Sequence, residues 1–567
     1  MRPLQYGRRA KVERVQELVA PRLEPHDANQ LELKLGYVVK PGDRHQHYQI
    51  ETYMFIPKTL GIDRHSYNSS RFYADTAAFL RLRTPPVSLE SLATVGKANR
   101  WFDQLVSGLK GRELSSARGV QRLARRIKIL GCIYRSALHD DARTLRQQLA
   151  SAPAPDPLAE GRMQETTARR LRRLARNITR ALRRLRELDE VCLARGFGDV
   201  ICDSWSAVDE YVTLIVEDIS KEVIIALDNR TARSPVVHPD LINARETLVK
   251  IAVDAHQYRR GRGYRSQLIA GESNEELPHW RRTIKRIVFS ALYLDVRHEE
   301  VGRLAYDLVG AAAAMIAMAF AITVSLLAQL ELDIFSGTFV AIMIVSYMIK
   351  DRLKDWGKRY GGKHIGRFLP DTIIRVHDTE GDRVLGQCRE QFNMLKISQV
   401  DDEILKSRRS RRASSIERLG KPEVVIRYLK DITLYSQPLR DELAGLEGLH
   451  DIIRFNLGHL RDRMDAPRED HQLIDPSTGE ILVIPCARVY HVNIILRTTA
   501  GRGKTAKSNV ERIRVVMDQR GIKRVEYLDR RGKPVVCNHD DASPDQDLSN
   551  LSFPAALRAT IEGDTSS

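Results

Sequence analysis

The sequence predicts a membrane protein with a two-helix transmembrane hairpin, a mainly α-helical N-terminal cytoplasmic region and a small α+β C-terminal cytoplasmic domain. Two long uncharged apolar stretches lie near the middle of the chain, and cationic residues flank both of them. Hydrophobic residues make up 43% and charged residues 29% of the chain, which is typical of folded soluble domains around a local membrane segment.

The predicted segments follow from changes in pattern along the chain. They are an N-terminal α+β segment (1–87), a cytoplasmic helical region (88–300), a transmembrane helical hairpin (308–349), a basic juxtamembrane linker (350–420), a C-terminal α+β domain (421–537) and a flexible tail (538–567). Six cysteines are scattered without a CxxC pair, which indicates reduced thiols rather than a disulfide framework or a zinc ribbon.

The N-terminal segment predicts a β-hairpin. Residues 31–40 and 47–56 each alternate apolar and polar side chains, and Pro41-Gly42-Asp43 between them is a turn signal. The period then changes, and residues 88–149 are predicted to be mainly helical. A proline-rich loop at 151–158 separates these residues from the next helix.

An arginine-dense amphipathic helix follows that loop. Its apolar residues recur three and four apart, as in a heptad seam; they are Leu171, Leu174, Ile178, Ala181, Leu185, Leu188 and Cys192. The other faces are basic and are either solvated or a contact surface for anionic lipid or an acidic protein. Nucleic acid is not expected because no aromatic residue stands among the arginines to stack on bases. The anion-contact residues predicted here and in the later linker are Arg169, Arg172, Arg173, Arg176, Arg180, Arg183, Arg408 and Arg409.

The central stretches are residues 308–330 and 334–349. At about 1.5 Å per residue the first reaches roughly 34 Å, enough for a hydrocarbon core of about 30 Å, whereas the second reaches only about 24 Å. Lysines and arginines on both outer flanks and the acidic tip at Glu331 and Asp333 place both termini in the cytoplasm. The prediction is therefore a multi-pass protein of the cytoplasmic (inner) membrane, in a layout that resembles bacterial inner-membrane proteins with a central two-helix anchor.

Small residues recur along both apolar stretches. This spacing allows close helix packing, either within the hairpin or between copies in a homo-oligomer. The predicted packing residues are Gly310, Ala313, Ala314, Ala317, Ala321, Gly337 and Ala341. No ionisable residue interrupts either stretch, so the hairpin alone is not expected to carry ions.

The C-terminal region predicts a helix at 439–464, two strands within 472–497 around a turn at residues 475–479, a helix at 509–519 and a strand at 524–528. Gly503-Lys504-Thr505 resembles part of a phosphate-binding loop, but Thr498 stands where that motif needs glycine. Ser414 in the basic linker is a candidate phosphorylation site.

The sequence assigns no catalytic, cofactor-binding or metal-binding residue. It predicts a two-pass membrane-anchored scaffold or regulatory protein that binds the bilayer and a protein partner or anionic lipid. The net charge of +18 supports an acidic partner. A membrane-anchored enzyme acting on an acidic substrate and an oligomeric two-helix channel are the alternatives.

Overall fold

The computed structural model describes residues 18–535, apart from 39–43, 95–99, 112–113, 115, 151–156, 195–198, 234–236, 300–301, 333–335, 366–369, 379–382, 410–421, 443–447, 504–505 and 529–533. The chain divides into two compact units. In its described residues, the first combines the chain up to Arg81 with the part from Leu294 to Val535, and the second is Leu82–Tyr293. The predicted turn at 41–43, Asp333, Ser414, Lys504, Thr505 and the tail at 538–567 lie outside the described residues.

The first unit is built on a nine-stranded antiparallel sheet. Its strands are β3 (His45–Pro57), β5 (Asp295–Glu299), β6 (Thr372–His377), β7 (Val384–Leu395), β8 (Glu423–Tyr435), β12 (Tyr490–Ala500), β13 (Lys507–Asp518), β14 (Gly521–Leu528) and β15 (Pro534–Val535). Their order across the sheet is β15-β14-β13-β12-β3-β8-β7-β6-β5. Strands from the two ends of the chain therefore share one sheet.

A four-stranded sheet packs against this large sheet. Its strands are β1 (Leu18–Pro25), β2 (Gln30–Val38), β4 (Thr76–Leu82) and β9 (Gly448–Asn456), in the order β1-β2-β9-β4. The Tyr37 ring from β2 lies 4.9 Å from the Tyr48 ring of β3 between their centroids. Between the sheets, Lys430 of β8 donates to the Asp451 carboxylate of β9 at 2.9 Å.

The predicted N-terminal β-hairpin is wrong in its pairing. Both strands form, but β2 pairs with β1 and β9, whereas β3 pairs with β8 and β12. Alternation of apolar and polar residues shows which face of a strand is buried, and it carries no information about which strand is the neighbour. Residues distant in sequence, such as Phe55 of β3 and Asn493 of β12, are paired instead.

Two helices predicted in the C-terminal region are also wrong. Part of the segment 439–464 is strand β9, and the segment 509–519 lies almost entirely in strand β13. Both strands are buried on both faces over much of their length, so their apolar residues follow no period of two. Short helices complete this unit; they are α1 (Ser69–Ala74), α11 (Asp402–Arg408), α12 (Ser436–Glu442) and α13 (Gly458–Arg461).

A two-stranded ribbon in the same unit joins β10 (Arg468–Ile474) to β11 (Ile481–Ala487), on either side of the predicted turn. Every residue of both strands is exposed. Leu473 pairs with Leu482 and Ile474 with Ile481, so the two faces of the ribbon both carry apolar side chains near the tip.

The second unit is helical, as the apolar periodicity of 88–149 and 171–192 indicates. Its helices are α2 (Leu89–Ala93), α3 (Arg100–Lys110), α4 (Ala117–Ala150), α5 (Pro157–Ala194), α6 (Asp199–Thr231), α7 (Pro239–Gly261) and α8 (Glu276–Phe289). Gly131 of α4 allows close approach, because a Cβ there would lie 3.0 Å from Val288 and 3.1 Å from Val208. The buried Arg259 of α7 is paired with Glu217 of α6.

Helices α9 (Gly302–Glu331) and α10 (Gly337–Ile365) form an antiparallel pair inserted between strands β5 and β6. Among the described residues, only the stretch Asp307–Leu330 of α9 has the length and composition to cross a membrane, and it is mostly exposed. In α10 the apolar run ends at Ile349, because charged residues begin at Lys350. The run from Gly337 to Ile349 spans about 20 Å, well short of a hydrocarbon core of about 30 Å.

The predicted fold class is therefore wrong. The chain is a predominantly α+β protein with large sheets, and not a two-helix membrane hairpin carrying cytoplasmic domains. With one weak candidate span among the residues that the structure describes, the predicted class of integral membrane protein and the multi-pass location in the inner membrane are wrong as well. Apolar composition does not distinguish a membrane-spanning helix from other apolar helices, and the prediction of a transmembrane hairpin rested on that composition.

Candidate anion-binding site

Helix α5 presents a row of arginines to solvent because its opposite face is packed in the core. Leu171, Ile178 and Leu185 are fully buried, as the heptad seam predicts. Positions three and four residues apart on the other side of the helix therefore face solvent. The six predicted arginines of this helix are all exposed; they are Arg169, Arg172, Arg173, Arg176, Arg180 and Arg183.

The N-terminal half of this row is neutralised by carboxylates. Arg169 bonds Glu165 one turn earlier at 2.7 Å, and this hydrogen bond lowers the pKa of the Glu165 carboxyl. Arg172 lies 2.6 Å from the Asp240 carboxylate of α7. Arg173 pairs with Glu90 of α2. These three arginines already have partners within the protein.

The C-terminal half of the row differs. Within the described part of the chain, Arg176, Arg180 and Arg183 form no ion pair, and they follow one another at intervals of four and three residues on one helix face. Their charges repel one another and are compensated by solvent ions. An anionic partner would gain attraction here without displacing an internal carboxylate.

A groove between α5 and α7 includes Arg183, the last of these three arginines, in its lining. It has a volume of about 420 Å³, and its walls combine cationic, acidic and apolar side chains. The lining residues are Thr179, Leu182, Arg183, Arg186 and Glu187 of α5, and Ile251, Asp254 and Ala255 of α7.

Arg186, which lines this groove, is held by aromatic and acidic groups. Its guanidinium lies 3.5 Å from the centre of the Tyr258 ring, and its Nε lies 3.9 Å from Oδ1 of Asp209. Asp209 is fully buried and accepts hydrogen bonds from the Tyr258 and Tyr264 hydroxyls at 2.9 and 2.8 Å. Burial raises the pKa of Asp209 although both hydrogen bonds oppose the rise. The network fixes the Arg186 charge in place before any partner arrives.

The groove presents charged and apolar groups that can contact a ligand. In the part of the chain that the structure describes, no three histidine, cysteine or acidic side chains converge in a way that could hold a metal ion. The groove contributes guanidinium donors, two carboxylates at Glu187 and Asp254, and an apolar surface from Leu182 and Ile251. Such a mixture suits a peptide with acidic and apolar side chains.

The other predicted anion contacts belong to the first unit. Arg408 donates to the Glu423 carboxylate at 2.6 Å and lines a separate cavity. Arg409 is exposed just after α11. The structure thus brings the six arginines of α5 together on one face and places Arg408 in an internal ion pair.

Some of the predicted helix-packing residues are buried or half-buried, and the others are exposed. Ala313 and Ala317 are buried, and Gly310, Ala314 and Ala321 are half-buried. Gly337 and Ala341 are exposed.

Helices α9 and α10 approach closely at two glycines that the sequence patterns did not single out. A Cβ on Gly357 would lie 2.7 Å from the Ala313 Cβ, and one on Gly361 would lie 2.5 Å from Val309 Cγ1. Their spacing of four residues is a sequence signal for close helix packing. It was overlooked because the residues between them include the charged Lys358 and Arg359.

The groove residues Arg186, Ile251 and Asp254 were also missed, because the register of α7 against α5 is a tertiary property without a local sequence signal. Comparisons of the chain with family models, with curated proteins and with solved structures gave no match.

Proposed function

We propose that this protein is a non-catalytic binding protein whose helix α5 recognises an acidic segment of a partner protein. The observation that carries the proposal is the row Arg176, Arg180 and Arg183, which has no internal carboxylate partner among the described residues and ends at Arg183 in the lining of the groove between α5 and α7. The neighbouring arginines on the same face are paired, so the free charge is concentrated where the groove begins.

A protein segment fits this surface better than an anionic lipid surface. A dense layer of anionic headgroups would face the Glu187 and Asp254 carboxylates as well as the arginines, whereas a peptide can turn its acidic side chains toward the arginines and away from these two groups. Leu182 and Ile251 offer apolar contact to a side chain that enters the groove. A peptide with glutamates or aspartates near one apolar residue would use both features.

The test compares two triple variants of the full chain with equal loss of charge. Arg176→Gln/Arg180→Gln/Arg183→Gln removes the free arginines, and Arg169→Gln/Arg172→Gln/Arg173→Gln removes the paired ones. Binding of a fluorescein-labelled poly-L-glutamate peptide is followed by anisotropy at low and high salt. Each exposed charge contributes roughly 0.5 kcal/mol, so the first variant is expected to bind about tenfold more weakly.

The control variant is expected to lose less than about threefold, because its arginines already interact with internal carboxylates. Equal losses in both variants would show that only net charge matters and would contradict the proposal. Co-sedimentation with phosphatidylserine vesicles is the second arm. Binding to vesicles by a chain that ignores the peptide would replace the protein partner with a lipid surface.

A further inference from the structure

A second cavity lies in the first unit, at the end of the sheet where β3 finishes and β8 and β12 begin. It has a volume of about 240 Å³, and the adjacent strands β3, β8 and β12 provide half of its lining residues. Its polar lining includes Arg408, Glu423, Asp465, Arg488, Tyr490 and Asn493.

The charged groups in this wall balance one another. Arg408 donates to the Glu423 carboxylate at 2.6 Å. Asp465 accepts a hydrogen bond from the Tyr490 hydroxyl at 2.6 Å, and Arg488 lies 3.6 Å from the same carboxylate. Two guanidinium groups and two carboxylates therefore share the cavity, and their formal charges cancel.

Asn493 supplies a polar group that is not satisfied within the described residues. Its side chain is fully buried, and its Oδ1 accepts a hydrogen bond from Arg512 at 3.2 Å. Its Nδ2 has no hydrogen-bond partner in the described part of the chain. A buried amide donor left without an acceptor costs about 1–3 kcal/mol, so a ligand oxygen at this place would recover that cost.

We propose that this cavity binds a small zwitterion of the α-amino acid class. The carboxylate would accept from Asn493 Nδ2 and from a guanidinium of Arg408 or Arg488, and the ammonium would face Glu423 and Asp465. A ligand with a single charge would add a net charge to a cavity whose own formal charges cancel, whereas a zwitterion leaves the cavity neutral and can pair with groups of both signs. The volume is below the roughly 300 Å³ at which drug-sized sites begin, and Pro57 and Val489 provide an apolar wall for a short side chain.

The experiment measures thermal unfolding and calorimetric binding of the full chain with three amino acids, L-leucine, L-glutamine and L-serine. Each is compared with its analogue lacking the amino group and its analogue lacking the carboxylate. At least one amino acid is expected to bind and raise the Tm, while its singly charged analogues bind at least tenfold more weakly. Binding of the deaminated acid as tightly as the amino acid would overturn the proposal, as would the absence of binding by all three amino acids.

Two variants locate the binding. Asn493→Asp keeps an acceptor for Arg512 but places a carboxylate where the ligand carboxylate would sit, and it is expected to weaken binding at least tenfold. Arg488→Gln alters a half-exposed side chain and therefore tests the cavity if the first variant fails to fold. Asn509→Asp and Arg468→Gln are the matched controls, since both residues are exposed and outside the cavity. Wild-type affinity in both cavity variants would overturn the proposal.

Discussion

Lys430 lies between the two sheets of the first unit with 1% of its side chain exposed. Its ammonium is 2.8 Å from one Asp451 oxygen and 3.6 Å from Glu390. Burial alone would lower the pKa of Lys430, but these two carboxylates raise it above its usual range. The lysine therefore stays charged and joins β8 to β9 across the interface. The buried Cys388 thiol nearby has its pKa raised to about 12 by burial.

Lys430→Met is expected to destabilise the protein by about 3–5 kcal/mol, because it leaves the Asp451 and Glu390 carboxylates buried without a cation. Chemical denaturation followed by circular dichroism measures the change. Lys507→Met is the matched control, as Lys507 also lies on a strand of the large sheet but is exposed, and it is expected to cost less than about 0.5 kcal/mol. A small effect at Lys430 would mean that the two sheets are joined by apolar packing alone.

Asp209 in the second unit gives a prediction about pH. Burial raises its pKa in the folded state above 3.8, so the folded protein retains this proton to a higher pH than the unfolded chain does. Its contribution to stability is therefore greatest at low pH, falls as the pH rises from 3.8 through the folded pKa, and is constant above that value.

Asp209→Asn removes this dependence while its amide oxygen can still accept from Tyr258 and Tyr264. The stability of the variant relative to the wild type is expected to increase with pH across that window and then to level off. Urea titrations at a series of pH values measure the difference. Asp203→Asn, an exposed residue on the same helix, is expected to show no such rise. A difference that does not vary with pH would show that Asp209 ionises normally.

At the scale of elements, helices are easier to recognise from this sequence than strands. The seam from Leu171 to Leu188 of α5 is buried as its spacing indicates, because long helices repeat their signal over many turns. Strand β9 resembles a helix in sequence because both of its faces are buried, so that the adjacent residues Ile452 and Ile453 are both apolar and no alternation of apolar and polar residues appears. The basic face of α5 is visible in the sequence, whereas the groove beside it depends on the packing of α7 and is not.

The pairing of α9 with α10 depends on glycine at the contact. Gly357→Val is expected to push the helices apart and to increase amide hydrogen exchange in both, since even a Cβ at this position would overlap Ala313. Hydrogen exchange with mass spectrometry measures the change. Gly337→Val on the same helix is the control and is expected to have little effect, because no atom of the described residues lies within 4 Å of the place that its Cβ would occupy. Similar exchange in both variants would contradict this contact.

At the scale of the whole molecule, the sequence indicates mixed α and β structure but not its organisation. The large sheet draws β3 from the beginning of the chain, β5 to β8 from the middle and β12 to β15 from the end. Pairings over such distances leave no mark on local patterns, so β3 and β8 could not be matched from residues 45–57 and 423–435 alone. The apolar run 308–330 dominates the prediction because its local signal is the strongest in the chain.

Helices α9 and α10 form an insertion between the paired strands β5 and β6, and this insertion can be deleted without removing a strand from the sheet. Glu299 is paired with Ile373, so the chain leaves the sheet after the first of these residues and re-enters it at a neighbouring backbone position. A turn of about two to five residues is normally sufficient to connect such strands. A chain in which such a turn replaces α9 and α10 should keep its sheet. Comparing the solubility of this shortened chain with that of the parent would show what the exposed apolar helices contribute to the behaviour of the protein in the cell.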